Sequence, residues 1–157
     1  MNAYVILKLI HILSSVLLVG TGFGSAFYLF FANRSASVEA IATTCRLVVR
    51  ADYWFTTPAV IVQPITGLWM IHLAGWPLAT PWILVTLALY GLTGACWLPV
   101  VWLQVRMARM ATSANESGTA LPPQYWRYAR YWERLGYPAF IAMLAVYFLM
   151  VVKPALP

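Results

Sequence analysis

Across residues 5–31 the only charged or histidine side chains are Lys8 and His11, both near the start of the stretch. A run of this kind exceeds the roughly 20 helical residues that cross a hydrocarbon core of about 30 Å. It is too long for the core of a signal peptide and has no clear small-residue cleavage site, so it is expected to stay as a span. Residues 54–75, 82–105 and 137–152 give three more such stretches. The expected fold is therefore all-α: a polytopic transmembrane four-helix bundle forming one integral membrane domain over residues 1–157.

Composition supports this solvent. The chain is 62% hydrophobic and 9% charged, whereas a soluble domain carries about a quarter charged residues. A water-soluble fold of this size leaves too much surface exposed to hide so many apolar groups. The net charge of +6 does not point to nucleic acid, because the basic residues sit beside apolar segments, where they face anionic lipid. Cys45 and Cys96 make neither a disulfide framework nor a CxxC metal motif, and both read as packing residues. No phosphate-binding glycine loop, zinc signature or nucleophile elbow is present.

Arginine placement sets the expected orientation. Arg34, Arg46 and Arg50 lie between the first two stretches, and Arg106, Arg109, Arg127, Arg130 and Arg134 between the last two. The connection at residues 73–81 carries no charge. By the positive-inside rule the arginine-rich connections are cytoplasmic and both termini face outward, N-out/C-out, in a bacterial inner membrane.

The long connections carry helical periodicity. Val38, Ile41, Cys45 and Val48 recur on one side, with Arg46 and Arg50 on another. Arg127, Arg130 and Arg134 alternate with Tyr and Trp, the composition of a membrane interface. Both are expected to form interfacial amphipathic extensions on the cytoplasmic side. Residues 112–123 are polar, with serine and proline, and are expected to be a mobile loop. Pro58, Pro64 and Pro99 are tolerable within or beside spans, where neighbouring groups satisfy the freed carbonyls. Gly20 and Gly24 form a GxxxG pair around Gly22, expected to bring helices close; the alternative is room for a flat cofactor. A homo-oligomer through this face is a further expectation. Gln63, Thr66, Thr86 and Thr93 are expected to hydrogen-bond between helices, and Arg50 to pair with Asp52 or to mark a proton entry.

The residues able to carry chemistry gather at the outer ends. His11 begins the first span and His72 ends the second, which antiparallel packing puts at similar depth. Two imidazoles so placed can ligate one haem iron axially or share a copper ion. Lys8, one turn before His11, and Lys153, at the end of the last span, are candidate partners for haem propionates. Met70 and Met150 fall near the same level and are candidate soft ligands for copper. The plainer reading keeps the histidines as interhelical hydrogen-bonding groups and the lysines as snorkelling side chains.

The stretches LKLIHIL, RADYWFTTPAVIVQPITGLWMIHLAG and ACWLPVVWLQVRM together resemble the bacterial integral membrane proteins grouped as domain of unknown function 2269, over nearly the whole chain. More distantly the chain resembles HemJ-type protoporphyrinogen oxidases and the membrane domain of copper-resistance protein D. Lys8 and His11 match the Lys-x-x-His of the HemJ type; Thr57-Pro58-Ala59, Thr66-Gly67 and Val151-Val152-Lys153-Pro154 match its later motifs. This resemblance implies a haem b site using His11. Residues 82–105 contain neither the lysine nor the histidine that the HemJ type carries in its third helix, so that enzyme's activity is not implied.

The expectation is a haem b-binding membrane protein in electron transfer, with His11 and His72 as axial ligands and Lys8 and Lys153 on the propionates. A quinone or a partner dehydrogenase would supply electrons, and any enzyme activity would be that of a haem-dependent oxidoreductase. The alternatives are a copper-handling protein or small transporter using His11, His72, Met70 and Met150, and a cofactor-free scaffold.

Overall fold

The computed structural model describes residues 2–154, and every regular element in them is helical. Helix α1 runs Ala3–Ala32, α2 Val38–Ala51, α3 Thr57–Leu73, α4 Pro81–Glu116 and α5 Pro123–Val152. A single π-helical turn, Asp52–Thr56, joins α2 to α3 without a loop. Among the described residues, α1, α4 and α5 are long and apolar enough to cross a membrane.

Local chemistry sets the element ends. The Asn2 side chain accepts from the Tyr4 amide to start α1, and Ser37 accepts from the Ala40 amide to start α2; each satisfies an amide that has no partner inside the helix. Helices α3 and α4 both end on a glycine in the left-handed region, Gly75 at φ 70° and Gly118 at φ 63°. The following amides reach back five residues, Trp76 to the Ile71 carbonyl and Thr119 to the Ala114 carbonyl, the Schellman arrangement that only glycine adopts without strain. The π-turn comes directly before Pro58, which has no N–H to offer the carbonyl four residues earlier. The Thr57 amide bonds instead to the Asp52 carbonyl, five residues back.

Packing follows two pairs. Helix α1 lies against α3, and α4 against α5, while α2 bridges α1 and α4. At the arginine-rich end the pairs close on a core that includes Leu29, Ile41, Cys45, Met107, Tyr125 and Trp132. At the histidine end Ile71 of α3 meets Trp82 and Ile83 of α4 and Leu149 of α5. The outer faces are apolar: Ile141 is 65% exposed, Phe148 61% and Trp69 55%. Contiguous apolar surface on this scale needs a lipid environment.

Helix α2 buries Ile41, Cys45 and Val48 and leaves Arg46 and Arg50 exposed, as the periodicity predicts. Three local expectations fail. Residues 112–116 are helical, the last turn of α4, because Ala108, Ala111 and Ala114 continue its buried face; the loop is only 117–122. Arg50 does not pair with Asp52: among the described residues the one ion pair joins Arg34 to Glu133 at 3.3 Å, and Asp52 accepts from Thr56 instead. The glycines of α1 do not bring helices close within the chain. A Cβ at Gly20, Gly22 or Gly24 would meet nothing within 4 Å.

Candidate functional site

His11 stands at the α1–α3 contact, among Ser14 of its own helix and Gln63, Thr66 and Gly67 of α3. The Thr66 hydroxyl donates to the Val62 carbonyl at 2.8 Å, as buried helical threonines do. Its oxygen is thereby left to accept from His11 Nδ1, 2.8 Å away. Ser14 donates to Gln63 Oε1, which turns the Gln63 amide nitrogen toward His11 Nε2 at 3.2 Å. The hydrogen-bond pattern thus assigns a neutral imidazole with its proton on Nδ1 and its lone pair on Nε2. Gly67 completes the pocket. A Cβ there would stand 3.2 Å from His11 Cε1, so the ring occupies the space a larger residue would take.

Helix geometry explains why α3 can build this pocket. Gln63, Thr66 and Gly67 fall at i, i+3 and i+4 and so share one face. Thr86 and Thr93, in contrast, bond back to the Trp82 and Leu89 carbonyls of their own helix. Of the four polar span residues only Gln63 and Thr66 reach across to a neighbour.

The other predicted site residues lie around the same end. His72 is exposed in the last turn of α3. It lies five residues past Gly67, hence about 7.5 Å along the axis and turned about 140° from it. The structure therefore gathers Ser14, Gln63, Thr66 and Gly67 around His11 and leaves His72 outside that group. Lys8 is exposed one turn before His11. Lys153 caps α5 in the left-handed region and places its ammonium 6.0 Å from the centre of the Trp82 ring. Met70 and Met150 are half-buried, Met150 against the Trp82–Ile83–Leu149 cluster. Among the described residues no three His, Cys, Asp or Glu side chains converge as a metal site.

A second feature lies inward, where the two helix pairs part. A cavity of about 430 Å³ opens between them, its wall starting at Leu18 and running past Gly22 to the Arg34–Glu133 end. This lies in the range of about 300–1,000 Å³ typical of small-molecule sites. Gly22, Gly94 and Gly136 leave the space, and Phe23, Trp97 and Trp132 surround it. Among the polar side chains on this wall, Asp52, 5% exposed, and Gln104, 6% exposed, are the two that carry an unsatisfied oxygen. Asp52 Oδ1 accepts from Thr56 at 2.8 Å, whereas Asp52 Oδ2 and Gln104 Oε1 have no partner. The sequence marks Asp52 as a polar residue beside a span; it gives no sign that Gln104 on α4 shares its cavity.

No curated protein and no solved structure matches this chain. The wider likeness to HemJ-type and copper-resistance membrane proteins thus stands on the quoted motifs alone. The apolar helices, the lipid-facing exterior and the fit of one family model to residues 5–154 agree, and the chain belongs to the family of predicted integral membrane proteins called domain of unknown function 2269.

Proposed function

We propose that this protein is a haem b-binding redox protein of the bacterial inner membrane, with His11 as the iron ligand. The observation that supports it is the state of the His11 ring. Thr66 holds Nδ1 as an orienting outer partner, the arrangement found behind metal-bound histidines. The Nε2 lone pair is covered only by the Gln63 amide, and Gly67 makes room for the ring against α3. One imidazole of suitable tautomer fits a haem iron, and His72, exposed in the last turn of α3, remains the proposed second axial ligand. Lys8 and Lys153, at the same end of the bundle, are the propionate partners in this reading. Haem b would supply one-electron transfer, and the chain's part is to hold the imidazole neutral and fixed. A quinone or a redox protein is the proposed electron partner.

The topology proposed with it has four spans. Helix α3 is 17 residues long and becomes long enough to cross when the π-turn is added. The arginine-rich end then faces the cytoplasm and both termini face outward.

A cofactor-free lock is the second reading. It is favoured by the pairing of both His11 nitrogens, which leaves the polar group satisfied without any ligand. Copper held by His11 with Met70, Met150 or His72 is the third. An absorbance spectrum of detergent-purified protein, oxidised and then dithionite-reduced, separates them. A Soret band with reduced α and β bands, lost in His11→Ala, supports haem. A featureless spectrum from haem-replete cells sinks it, and metal analysis then decides between copper and the lock.

A further inference from the structure

We propose that the cavity between the α1–α3 and α4–α5 pairs binds a phenol-type lipophile, an aromatic hydroxyl compound with an apolar tail, through Asp52 and Gln104. Three observations on the cavity select this chemistry. Its wall is apolar and open along part of its length, which suits a tail entering from lipid. Phe23, Trp97, Trp132 and Phe140 surround the space left by Gly22 and Gly94, a shape that accepts a flat ring. Both unsatisfied oxygens of the polar wall, Asp52 Oδ2 and Gln104 Oε1, are acceptors. An unpaired buried acceptor is costly to leave unmade, and a ligand that brings a hydroxyl donor satisfies it. A plain acyl chain fills the same volume and offers no donor. The site is separate from His11, which lies two turns beyond the end of the cavity marked by Leu18, and its occupancy does not depend on haem.

The test compares two probes, 4-decylphenol and its methyl ether 4-decylanisole, which keeps the ring, tail and oxygen but replaces the donated hydroxyl hydrogen by a methyl group. Binding is measured by isothermal titration to detergent-purified protein prepared without added haem. The phenol is expected to bind saturably, one per chain, and the ether about tenfold or more weakly, the cost of one unmade buried hydrogen bond. Gln104→Leu and Asp52→Asn should each weaken the phenol and leave the ether unchanged. Gly94→Leu should block both probes by filling the cavity. Melting temperature and elution volume check that each variant is folded; where Asp52→Asn fails this check, Gln104→Leu carries the test. Equal binding of phenol and ether would overturn the assignment and leave an acyl-chain groove. So would absence of saturable phenol binding, or a folded Gln104→Leu protein that binds the phenol as well as the parent.

Discussion

Tyr90 on α4 donates its hydroxyl to the Val60 carbonyl on α3 at 2.7 Å. That carbonyl is the one Pro64 frees, because proline four residues later has no N–H to return. A proline inside α3 thus frees an acceptor, and a tyrosine from the neighbouring helix fills it. The bond is also one of the few polar ties between the two helix pairs beside the cavity. Tyr147 on α5 makes a comparable tie to the Ser15 carbonyl of α1 at 3.1 Å.

Tyr90→Phe should therefore destabilise the protein by about 0.5–2 kcal/mol, the range for interhelical hydrogen bonds in membranes. Pro64→Ala restores an N–H to Val60, so the tyrosine should matter less in that background. A double-mutant cycle in a mild denaturing detergent gives the coupling. Additive effects of the two substitutions would show that the hydroxyl does not serve the proline-freed carbonyl.

Gly67 makes a paired prediction about His11. Alanine in a helix gains up to about 1 kcal/mol over glycine, but its Cβ would press His11 Cε1 at 3.2 Å. Gly67→Ala should come out near neutral. Gly67→Leu adds more atoms to the same gap and should cost about 1–3 kcal/mol by overpacking. In the haem reading it should also alter the Soret band, since it moves the ring off Thr66. A Gly67→Leu protein as stable as the parent would mean that the ring does not occupy that space.

Cys45 gives a prediction about pH. Burial pushes its thiol up from the ordinary value of 9.0, while the hydrogen bond with Tyr125 and the charge of Arg46 offset part of this. The folded state then holds the proton more tightly than the unfolded chain. Stability should be unaffected by this group below about pH 9 and should fall as pH rises above it. In a Cys96→Ser background, maleimide should label Cys45 slowly at pH 8 and quickly once the protein is denatured. Rapid labelling of the folded protein would contradict the burial of α2 against α4.

The apolar runs and the amphipathic face of α2 were legible because each is a periodicity within one segment. Continuous passage from α2 through the π-turn into α3 was not, since a proline two residues into a span reads as a start. The polar end of α4 is not legible for a related reason: its helix is carried by alanines packed on α2, a partner the local sequence does not name. His11 illustrates the limit most clearly. Depth alone puts it with His72, but facing depends on rotation, and the six residues from Thr66 to His72 turn the helix by about 240°. The Gln63–Thr66–Gly67 spacing was the available signal. Which helix pairs separate to leave a cavity is set by contacts far apart in sequence, so Gln104 could not be linked to Asp52.

Orientation can be tested at two short connections. The turn after α3 carries Ala79 and the turn after α4 carries Ser117, both exposed. In a background with Cys45 and Cys96 replaced by serine, cysteine is introduced singly as Ala79→Cys or Ser117→Cys. An impermeant maleimide added to intact cells should label the first and spare the second. The reason is electrostatic: the Ser117 connection joins helix segments bearing Arg106, Arg109, Arg127, Arg130 and Arg134, whereas residues 73–81 carry no charge, and arginine is retained on the cytoplasmic side. Labelling of Ser117→Cys alone would invert the orientation, putting the Asp52–Gln104 cavity nearer the outer face and His11 nearer the inner one. Labelling of both from one side would remove α4 as a span and with it the four-span topology.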